Sequence, residues 1–313
     1  MYAIAGVSGH TGSVVANTLL AAGKSVRVIV RDAAKGEVWK RKGADVAIAS
    51  LDDRAALAAA LKGAEGAYLL IPPNGFTETN IPANRARTTQ AILGAVQDAR
   101  PGHVVFLSSN GAQHAKGTGP IQYLKPLEDG LRASGVPTTI LRAAFFMENW
   151  AAVAQGAVQS GTLYYALSTR ISQVATTDIG KTAARLLVEG GGGRGRVEAG
   201  AGGGAAETAR PPSNEIEGAP NQPRIVNLAG PADLTLEEVA AALSKVAGKP
   251  IAAVTVPPSA MVESLVGMGA SRELAELYGE MAAAMKDGKI EWEGEPIRGS
   301  ITLEQRLREL LAA

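Results

Sequence analysis

The first twelve residues, MYAIAGVSGHTG, decide the fold of this chain. They place a short apolar run, Tyr2 to Val7, at the entrance of a loop with glycines at every third position: Gly6, Gly9 and Gly12. Glycine at these positions permits a tight turn, close approach of a ligand to the backbone, and close packing of a following helix on the strand. Because a helix N-terminus attracts anions, the stretch predicts a pyrophosphate site of a dinucleotide-binding fold.

The chain beyond this loop alternates short apolar runs with amphipathic segments, as parallel strands joined by crossover helices do. The predicted strands are Tyr2 to Val7, Val26 to Val30, Val46 to Ala49, Ala67 to Ile71, Val104 to Leu107 and Thr138 to Leu141. The predicted helices run from Gly12 to Gly23, from Asp52 or Asp53 to Gly63, from Pro82 to Gln97, and to an end near Gly135. This order predicts an α/β fold with a Rossmann-like, doubly wound parallel sheet, which binds ligands at the carboxyl ends of its strands.

The pattern changes after residue 150. Thr177-Asp178 is a good N-cap for a helix over Ile179 to Leu187, Arg224 to Leu228 reads as a returning strand, and TLEE from Thr235 to Glu238 is a capping box. Met261 to Lys286 and Leu303 to Leu311 read as helices. We therefore predict a dinucleotide-binding domain over 1–148 with a returning segment at about 171–230, and a smaller, mainly helical C-terminal substrate lobe over 149–313. Gly-rich residues 190–213 are predicted to be a flexible excursion.

Composition excludes several classes of function. The chain of 313 residues carries 31 Lys plus Arg against 30 Asp plus Glu, with no dense basic block, so neither nucleic acid nor a membrane surface is an expected partner. Without cysteine and with three scattered His, no disulfide or metal site is expected, and redox chemistry needs a bound cofactor. Residues 1–23 lack a basic n-region and are interrupted by polar residues and glycines, so we expect a cytoplasmic protein.

The end of the second predicted strand selects the cofactor. Arg31 follows Val30 where an acidic residue would bind the ribose hydroxyls of NAD. A guanidinium can instead bind a 2′-phosphate through paired charge-assisted bonds, which favours NADP. Asp32 directly follows, so NAD stays open as the second choice.

Several stretches resemble one known family: GVSGHTG at Gly6 to Gly12, VRD at Arg31, the segment from Ser50 to Pro73, FLSSNGA from Phe106, and SGVPTTILRAAFFMEN from Ser134 to Asn149. The sequence resembles the NmrA-like group of atypical short-chain dehydrogenases/reductases, which includes quinone and dye reductases and redox-sensing regulators. The resemblance implies a Rossmann-like domain, a smaller C-terminal lobe and a substrate cleft between them. One departure is Ser50, where an acidic residue commonly precedes the position of Leu51.

The resemblance also implies cofactor contacts residue by residue. The pyrophosphate would be surrounded by the loop, Arg31 would bind the 2′-phosphate, strand-end residues would line the adenine and ribose, and two aromatic residues would lie near the nicotinamide. In that order the residues are Gly6, Ser8, Gly9, His10, Thr11 and Gly12; Arg31; Leu51, Ile71 and Pro72; and Phe145 and Phe146.

The catalytic residues are less well marked. Typical relatives use Tyr and Lys four residues apart, but Ile121 stands four residues before Lys125, and Tyr123 is out of register. Pro126 predicts that a helix begins there, which puts Lys125 at its cap. The candidate residues are Lys125, for a ribose hydroxyl or catalysis, Tyr123 as a proton donor, and Asn149 as a polar group beside the two Phe residues.

Two main hypotheses follow. The first is an NADPH-dependent oxidoreductase that transfers hydride to a small planar or conjugated acceptor such as a quinone, which can collect its proton from water without a Tyr general acid. The second is a non-catalytic NAD(P)-binding redox sensor that acts through a protein partner. An isomerase or lyase that keeps its cofactor bound is a third reading, and a homodimer is left open.

Overall fold

The structure is a computed structural model that describes residues 1–191 and 223–312. The predicted excursion over 190–213 therefore lies, beyond its first two residues, outside the described residues. The strands are β1 (Tyr2–Ile4), β2 (Val26–Val30), β3 (Asp45–Ile48), β4 (Gly66–Leu70), β5 (Val104–Ser109), β6 (Thr138–Ala143), β7 (Phe145–Phe146), β8 (Thr162–Tyr165), β9 (Ile171–Val174), β10 (Arg224–Ala229), β11 (Asp233–Leu234), β12 (Ala252–Thr255) and β13 (Ile297–Arg298).

The helices connect these strands and build most of the C-terminal lobe. They are α1 (His10–Ala21), α2 (Ala33–Arg41), α3 (Arg54–Leu61), α4 (Ile81–Ala99), α5 (Lys125–Ala133), α6 (Ala151–Ser160), α7 (Thr176–Gly191), α8 (Leu236–Ala247), α9 (Pro258–Gly267), α10 (Arg272–Lys286) and α11 (Leu303–Ala312). Two 3₁₀ helices, Gly119–Leu124 and Met147–Trp150, lead directly into α5 and α6.

An eight-stranded sheet forms the centre of the molecule, in the order β13-β10-β6-β5-β4-β1-β2-β3. Every neighbouring pair in it is parallel, with registers such as Tyr2 opposite Val26 on one side and Gly66 on the other. The predicted doubly wound α/β sheet is confirmed, and the predicted returning strand is its seventh member along the chain. Parallel strands need both faces covered, which explains their continuous Val, Ile and Leu runs.

Two apolar cores cover the two faces of this sheet. On one face α1 and α7 pack together over residues such as Ile4, Val28 and Leu141. On the other face α3, α4 and α5 cover residues such as Leu69 and Phe106. Alternate strand residues thus point to opposite layers, and all the carboxyl ends meet at one edge of the sheet.

The C-terminal lobe has its own core, built around Trp150, Leu163, Val239 and Leu307. It contains more strand than we predicted. A three-stranded sheet, β11-β9-β7, and a two-stranded sheet, β12-β8, lie beside its helices. These strands are two to four residues long, too short to give an alternating pattern in sequence. In the described ranges, no helix is long and apolar enough to cross a bilayer.

Several predicted helix boundaries need correction. Helix α1 begins at His10 rather than after Gly12, so the end of the glycine loop is already helical. Helix α7 begins at Thr176, so Asp178 lies in its first turn instead of capping it. The Asp178 carboxylate instead accepts backbone N–H groups from Ser300 and Ile301, at 3.0 and 2.9 Å. The carboxylate that was expected to cap α7 therefore accepts hydrogen bonds from a distant segment of the backbone.

One helix, α2, was not predicted at all. It follows β2 immediately and has few apolar residues, so its sequence carries no clear amphipathic stripe. The side chain of Asp32 caps its first turn. The capping box of α8, by contrast, is confirmed, with Thr235 and Glu238 bonding each other's backbone N–H groups.

Candidate active site

The glycine loop between β1 and α1 has the backbone geometry of a phosphate cradle. Gly6 has φ +69°, and an added Cβ there would lie 2.5 Å from Cδ2 of Leu70. The Gly9 N–H donates to the Gly6 carbonyl at 2.9 Å, which closes the turn. A Cβ on Gly12 would lie 2.5 Å from the carbonyl oxygens of Ala5 and Gly6. Glycine is therefore what permits α1 to start this close to β1, as expected of a nucleotide loop.

The N-terminus of α1 is open to a ligand. Its N-cap, Gly9, has no side chain to cap the first turn, and that turn contains no acidic residue. Ser8, Gly9 and His10 are exposed, whereas Thr11 is buried and its hydroxyl accepts a 2.9 Å hydrogen bond from the Tyr68 hydroxyl. Burial raises the Tyr68 pKa, which keeps this donor protonated. The backbone N–H groups of this first turn are available to an anion, and the loop fits a pyrophosphate.

The structure separates the two residues that sequence left in competition after β2. The Asp32 carboxylate accepts the Lys35 N–H at 2.9 Å, as N-cap of α2. Arg31 is exposed and, within the described part of the chain, forms no ion pair. The acidic group is thus committed to the helix, and the guanidinium is the group free to meet a phosphate.

The predicted adenine-side residues lie where β3 and β4 end. Leu51, Ile71 and Pro72 are half-buried, and the first two pack against the core that α3, α4 and α5 cover. Ser50, which departs from the family pattern, accepts the Asp52 N–H through its hydroxyl at 3.3 Å. The turn after β3 thus presents an apolar wall and no free carboxylate at position 50.

The two predicted nicotinamide-side residues form β7 and face different layers. The Phe145 ring packs against Trp150, with centroids 5.5 Å apart, and meets Tyr165 edge-on at 6.4 Å. Phe146 packs instead against the core beneath α1 and α7. Asn149 is exposed in the 3₁₀ helix, between buried residues Met147 and Trp150. An aromatic wall at the end of β6 is therefore present, with Asn149 facing solvent.

The predicted proton-handling residues lie on successive turns. Tyr123 is half-buried in a 3₁₀ helix that packs on α10, rather than in an exposed loop. Burial, followed by the nearby Glu273 and Glu280 charges, raises its pKa. Lys125 is the first residue of α5, one position before the predicted start, and its Nζ lies 2.7 Å from Asp129 Oδ2. Neither arrangement reproduces a Tyr and Lys on one helical face.

Two other residues near Lys125, Ile121 and Ser108, have structural surroundings that do not suit proton transfer. Ile121 is buried in an apolar cluster with Ala112 and Met281. Ser108, at the end of β5, donates to Glu128 Oε1 at 2.5 Å. The same carboxylate binds Arg142 through bonds of 3.0 and 2.7 Å. The Ser108 hydroxyl therefore supports a buried ion pair between α5 and β6.

Sequence reasoning missed a second polar cluster near this edge. It joins the loop after β4, α4, β8 and α10, and it includes Glu78, Arg85, Tyr165 and Tyr278. Its members are scattered over two hundred positions and lie in polar stretches that look solvent-exposed. Glu78 and Arg85 are close in sequence, but packing of the C-terminal lobe is what adds Tyr165 and Tyr278 to the cluster.

A family model connects this geometry to known proteins. The model of the NmrA-like family matches residues 2–190, and the chain belongs to that family. The predicted resemblance is thus confirmed. The NAD(P)H azoreductase of Xenophilus azovorans is 25% identical over 284 residues, which cover 90% of this chain and 86% of that protein. Quinone oxidoreductase 2 of Escherichia coli is 24% identical over 297 residues, covering 93% and 90%.

Solved structures show the same fold. The NADPH-dependent quinone oxidoreductase of Escherichia coli, in complex with NADPH, superposes with a TM-score of 0.75 at 23% identity, covering 99% of this chain and 100% of that one. The triphenylmethane reductase of a Citrobacter species, complexed with NADP(H), gives a TM-score of 0.78 at 19% identity, with the same coverage.

Proposed function

We propose that this protein is an NADPH-dependent oxidoreductase that reduces a small planar or conjugated acceptor such as a quinone or dye. The observation that carries the proposal is the uncapped, glycine-lined N-terminus of α1 beside an Arg31 whose neighbour, Asp32, is committed to α2. A diphosphate and a 2′-phosphate are the ligand groups that match these two features. Two relatives with this fold were solved in complexes with NADPH or NADP(H), which supports the choice of cofactor.

In this proposal the cofactor supplies a hydride when bound, and the chain provides binding and orientation. The loop amides hold the pyrophosphate, Arg31 the 2′-phosphate, and Leu51, Ile71 and Pro72 the adenosine side. Phe145 and its neighbour Tyr165 form an apolar wall beside the acceptor, which lies between the sheet edge and the C-terminal lobe of residues 149–313. Such placement lowers the barrier by fixing the reacting groups together.

The type of hydride acceptor follows from the absence of a tyrosine general acid at position 121. A plain ketone needs a well-placed proton donor as charge develops on its oxygen. Ile121, which stands where a Tyr would donate, is buried and apolar. A conjugated acceptor spreads the charge and can collect its proton from water. The names of the relatives, an azoreductase and a quinone oxidoreductase, agree with such acceptors.

The test is loss of reduced-nicotinamide absorbance when the protein and NADPH meet quinones, azo dyes, conjugated enones and simple ketones. Turnover with the conjugated acceptors alone is expected. NADPH binding by fluorescence quenching with no oxidation of any kind would overturn the enzyme proposal and favour the redox sensor. Tyr123→Phe should retain most of the activity. If it abolished turnover with every acceptor, the proton would come from Tyr123 and not from water.

A further inference from the structure

The loop after β4 contains a buried ion pair that the cofactor site does not use. Arg85, in the second turn of α4, is 11% exposed, and its Nη2 lies 2.7 Å from Oε2 of Glu78. The Glu78 side chain is 3% exposed, and its Oε1 accepts from the amides of Asn74 and Asn84, at 2.8 and 3.2 Å. The carboxylate is therefore fully bonded, and it holds the guanidinium by one nitrogen.

The other terminal nitrogen of Arg85 has no partner. Arg85 Nη1 is buried and donates no hydrogen bond to any group in the described ranges. Leaving a buried donor unbonded is costly, most of all for a charged group, so native proteins rarely tolerate it without a reason. A ligand oxygen at Nη1 would satisfy the donor.

The surroundings of Arg85 connect it to the aromatic wall at the sheet edge. Burial raises the pKa values of the Tyr123 and Tyr278 phenols, and the Arg85 charge opposes that rise. Tyr278 and Tyr165 pack against the same small apolar cluster, and the Tyr165 ring meets Phe145. Within the described residues, neither the Tyr123 nor the Tyr278 hydroxyl forms a hydrogen bond. The 3₁₀ helix that carries Tyr123 packs on both α4, which carries Arg85, and α10, which carries Tyr278.

The C-terminal lobe fixes this arrangement. The Ser271 hydroxyl bonds the Glu78 carbonyl, and its N–H donates to the Phe76 carbonyl at 3.0 Å. The Glu273 carboxylate accepts the N–H groups of Asn80 and Ile81, at 2.8 and 2.9 Å, and so caps α4. The loop that carries Glu78 is therefore anchored to α10 from both sides, and Arg85 cannot easily turn away.

We propose that Arg85, positioned by Glu78, binds a carbonyl oxygen of the acceptor through Nη1. This inference rests on the proposed function, since it assumes a planar acceptor against Phe145 and Tyr165. In this inference Arg85 Nη1 selects acceptors that carry a carbonyl oxygen. The same donor stabilises the negative charge that develops on that oxygen. A quinone, with oxygens at opposite ends of a flat ring, matches an apolar wall that ends in a fixed donor.

The test measures binding without turnover. Protein loaded with NADP⁺ is titrated with naphthoquinone and with naphthalene, which has the same rings and no oxygen, and tryptophan fluorescence is followed. Arg85→Lys keeps a cation for Glu78 but removes the second planar nitrogen. Its Kd for naphthoquinone should rise about tenfold, the change expected for one charge-assisted hydrogen bond. Its Kd values for naphthalene and NADPH should be unchanged.

Arg87→Lys is the matched control, because Arg87 lies on the same helix and is exposed. It should leave every affinity unchanged. Wild-type affinity of Arg85→Lys for naphthoquinone, or equal losses for both ligands, would overturn the inference. So would a wild-type protein that binds the two ligands alike. In each of these cases the proposed function survives if naphthoquinone still oxidises NADPH, whereas failure of every acceptor to do so overturns the proposed function itself.

Discussion

The two edges of the central sheet differ in how their polar groups are satisfied. At the carboxyl edge, Ser8, His10 and Arg31 are exposed, and the first turn of α1 lacks a side-chain cap. At the amino edge, His103 is buried just before β5, and its Nε2 lies 2.9 Å from the Thr139 hydroxyl. The first edge leaves donors available to a ligand, and the second encloses its polar groups within the protein. Substitutions at the two edges should therefore separate binding from stability.

The largest effect is expected from Gly12→Val. The new Cβ would lie 2.5 Å from backbone atoms of Ala5 and Gly6, so α1 must move away from β1. NADPH binding, followed by fluorescence quenching, should fall below detection, and overpacking should lower the free energy of unfolding by about 1–3 kcal/mol.

The control for that variant is Gly156→Ala. Gly156 lies within α6, and an added Cβ meets no atom within 4 Å. This change should raise the free energy of unfolding by about 0.5–1 kcal/mol and leave NADPH affinity unchanged. Unchanged NADPH affinity in Gly12→Val would contradict the assignment of the loop.

At the amino edge, His103 should make the free energy of unfolding depend on pH. Burial, with a smaller contribution from Arg224, lowers the His103 pKa from 6.5 to about 4. The unfolded chain therefore binds a proton on this residue at a higher pH than the folded chain does, and stability falls as the pH drops through this range. Between pH 7 and pH 5 the free energy of unfolding should decrease by about 2 kcal/mol from this residue.

Urea unfolding at the two pH values measures this loss, and His103→Gln should reduce the pH dependence by the same amount. The proposed cofactor site lies at the other edge, so NADPH affinity should change little in His103→Gln. An equal pH dependence in the wild type and in the variant would show that His103 is not the responsible group.

A smaller effect is expected at Arg31, the residue proposed to select the cofactor. Arg31→Ala removes the cation available to the 2′-phosphate, so the preference for NADPH over NADH should fall about tenfold. Kd values for both cofactors give the ratio, and Arg41→Ala, at the far end of the exposed α2 helix, serves as the control. An unchanged ratio in Arg31→Ala would mean that another group binds the phosphate.

The smallest effect should come from the neighbouring residue. Asp32→Ala removes the N-cap of α2 and should lower the free energy of unfolding by about 1 kcal/mol, as measured by urea unfolding. The cofactor preference should remain that of the wild type, because the carboxylate is bonded to the helix. A clear shift toward NADPH would instead show that Asp32 competes for the ribose in the wild type.

The carboxyl edge shows which features can be predicted from short stretches of sequence and which cannot. The spacing of Gly6, Gly9 and Gly12 predicted the turn and the close helix, because a glycine loop is set by neighbours within a few residues. The same reasoning favoured Arg31 over Asp32 as the residue that selects the cofactor, but it could not predict what Asp32 bonds. That bond depends on α2, a helix without a clear apolar stripe, whose first turn is capped by the Asp32 carboxylate. Helix ends were the least predictable feature for a similar reason: Asp178 bonds backbone groups more than a hundred residues away.

The sequence by itself determined the sheet, the phosphate loop and the family, because apolar runs, glycine spacing and capping residues act over short stretches of chain. Only the tertiary structure decided that Thr11 turns inward to Tyr68, that Ile121 lies in an apolar cluster with Met281, and that Arg85 keeps one buried nitrogen unbonded. These environments depend on residues that are far apart in sequence, and their energies depend on burial and geometry, which appear only once the chain has folded.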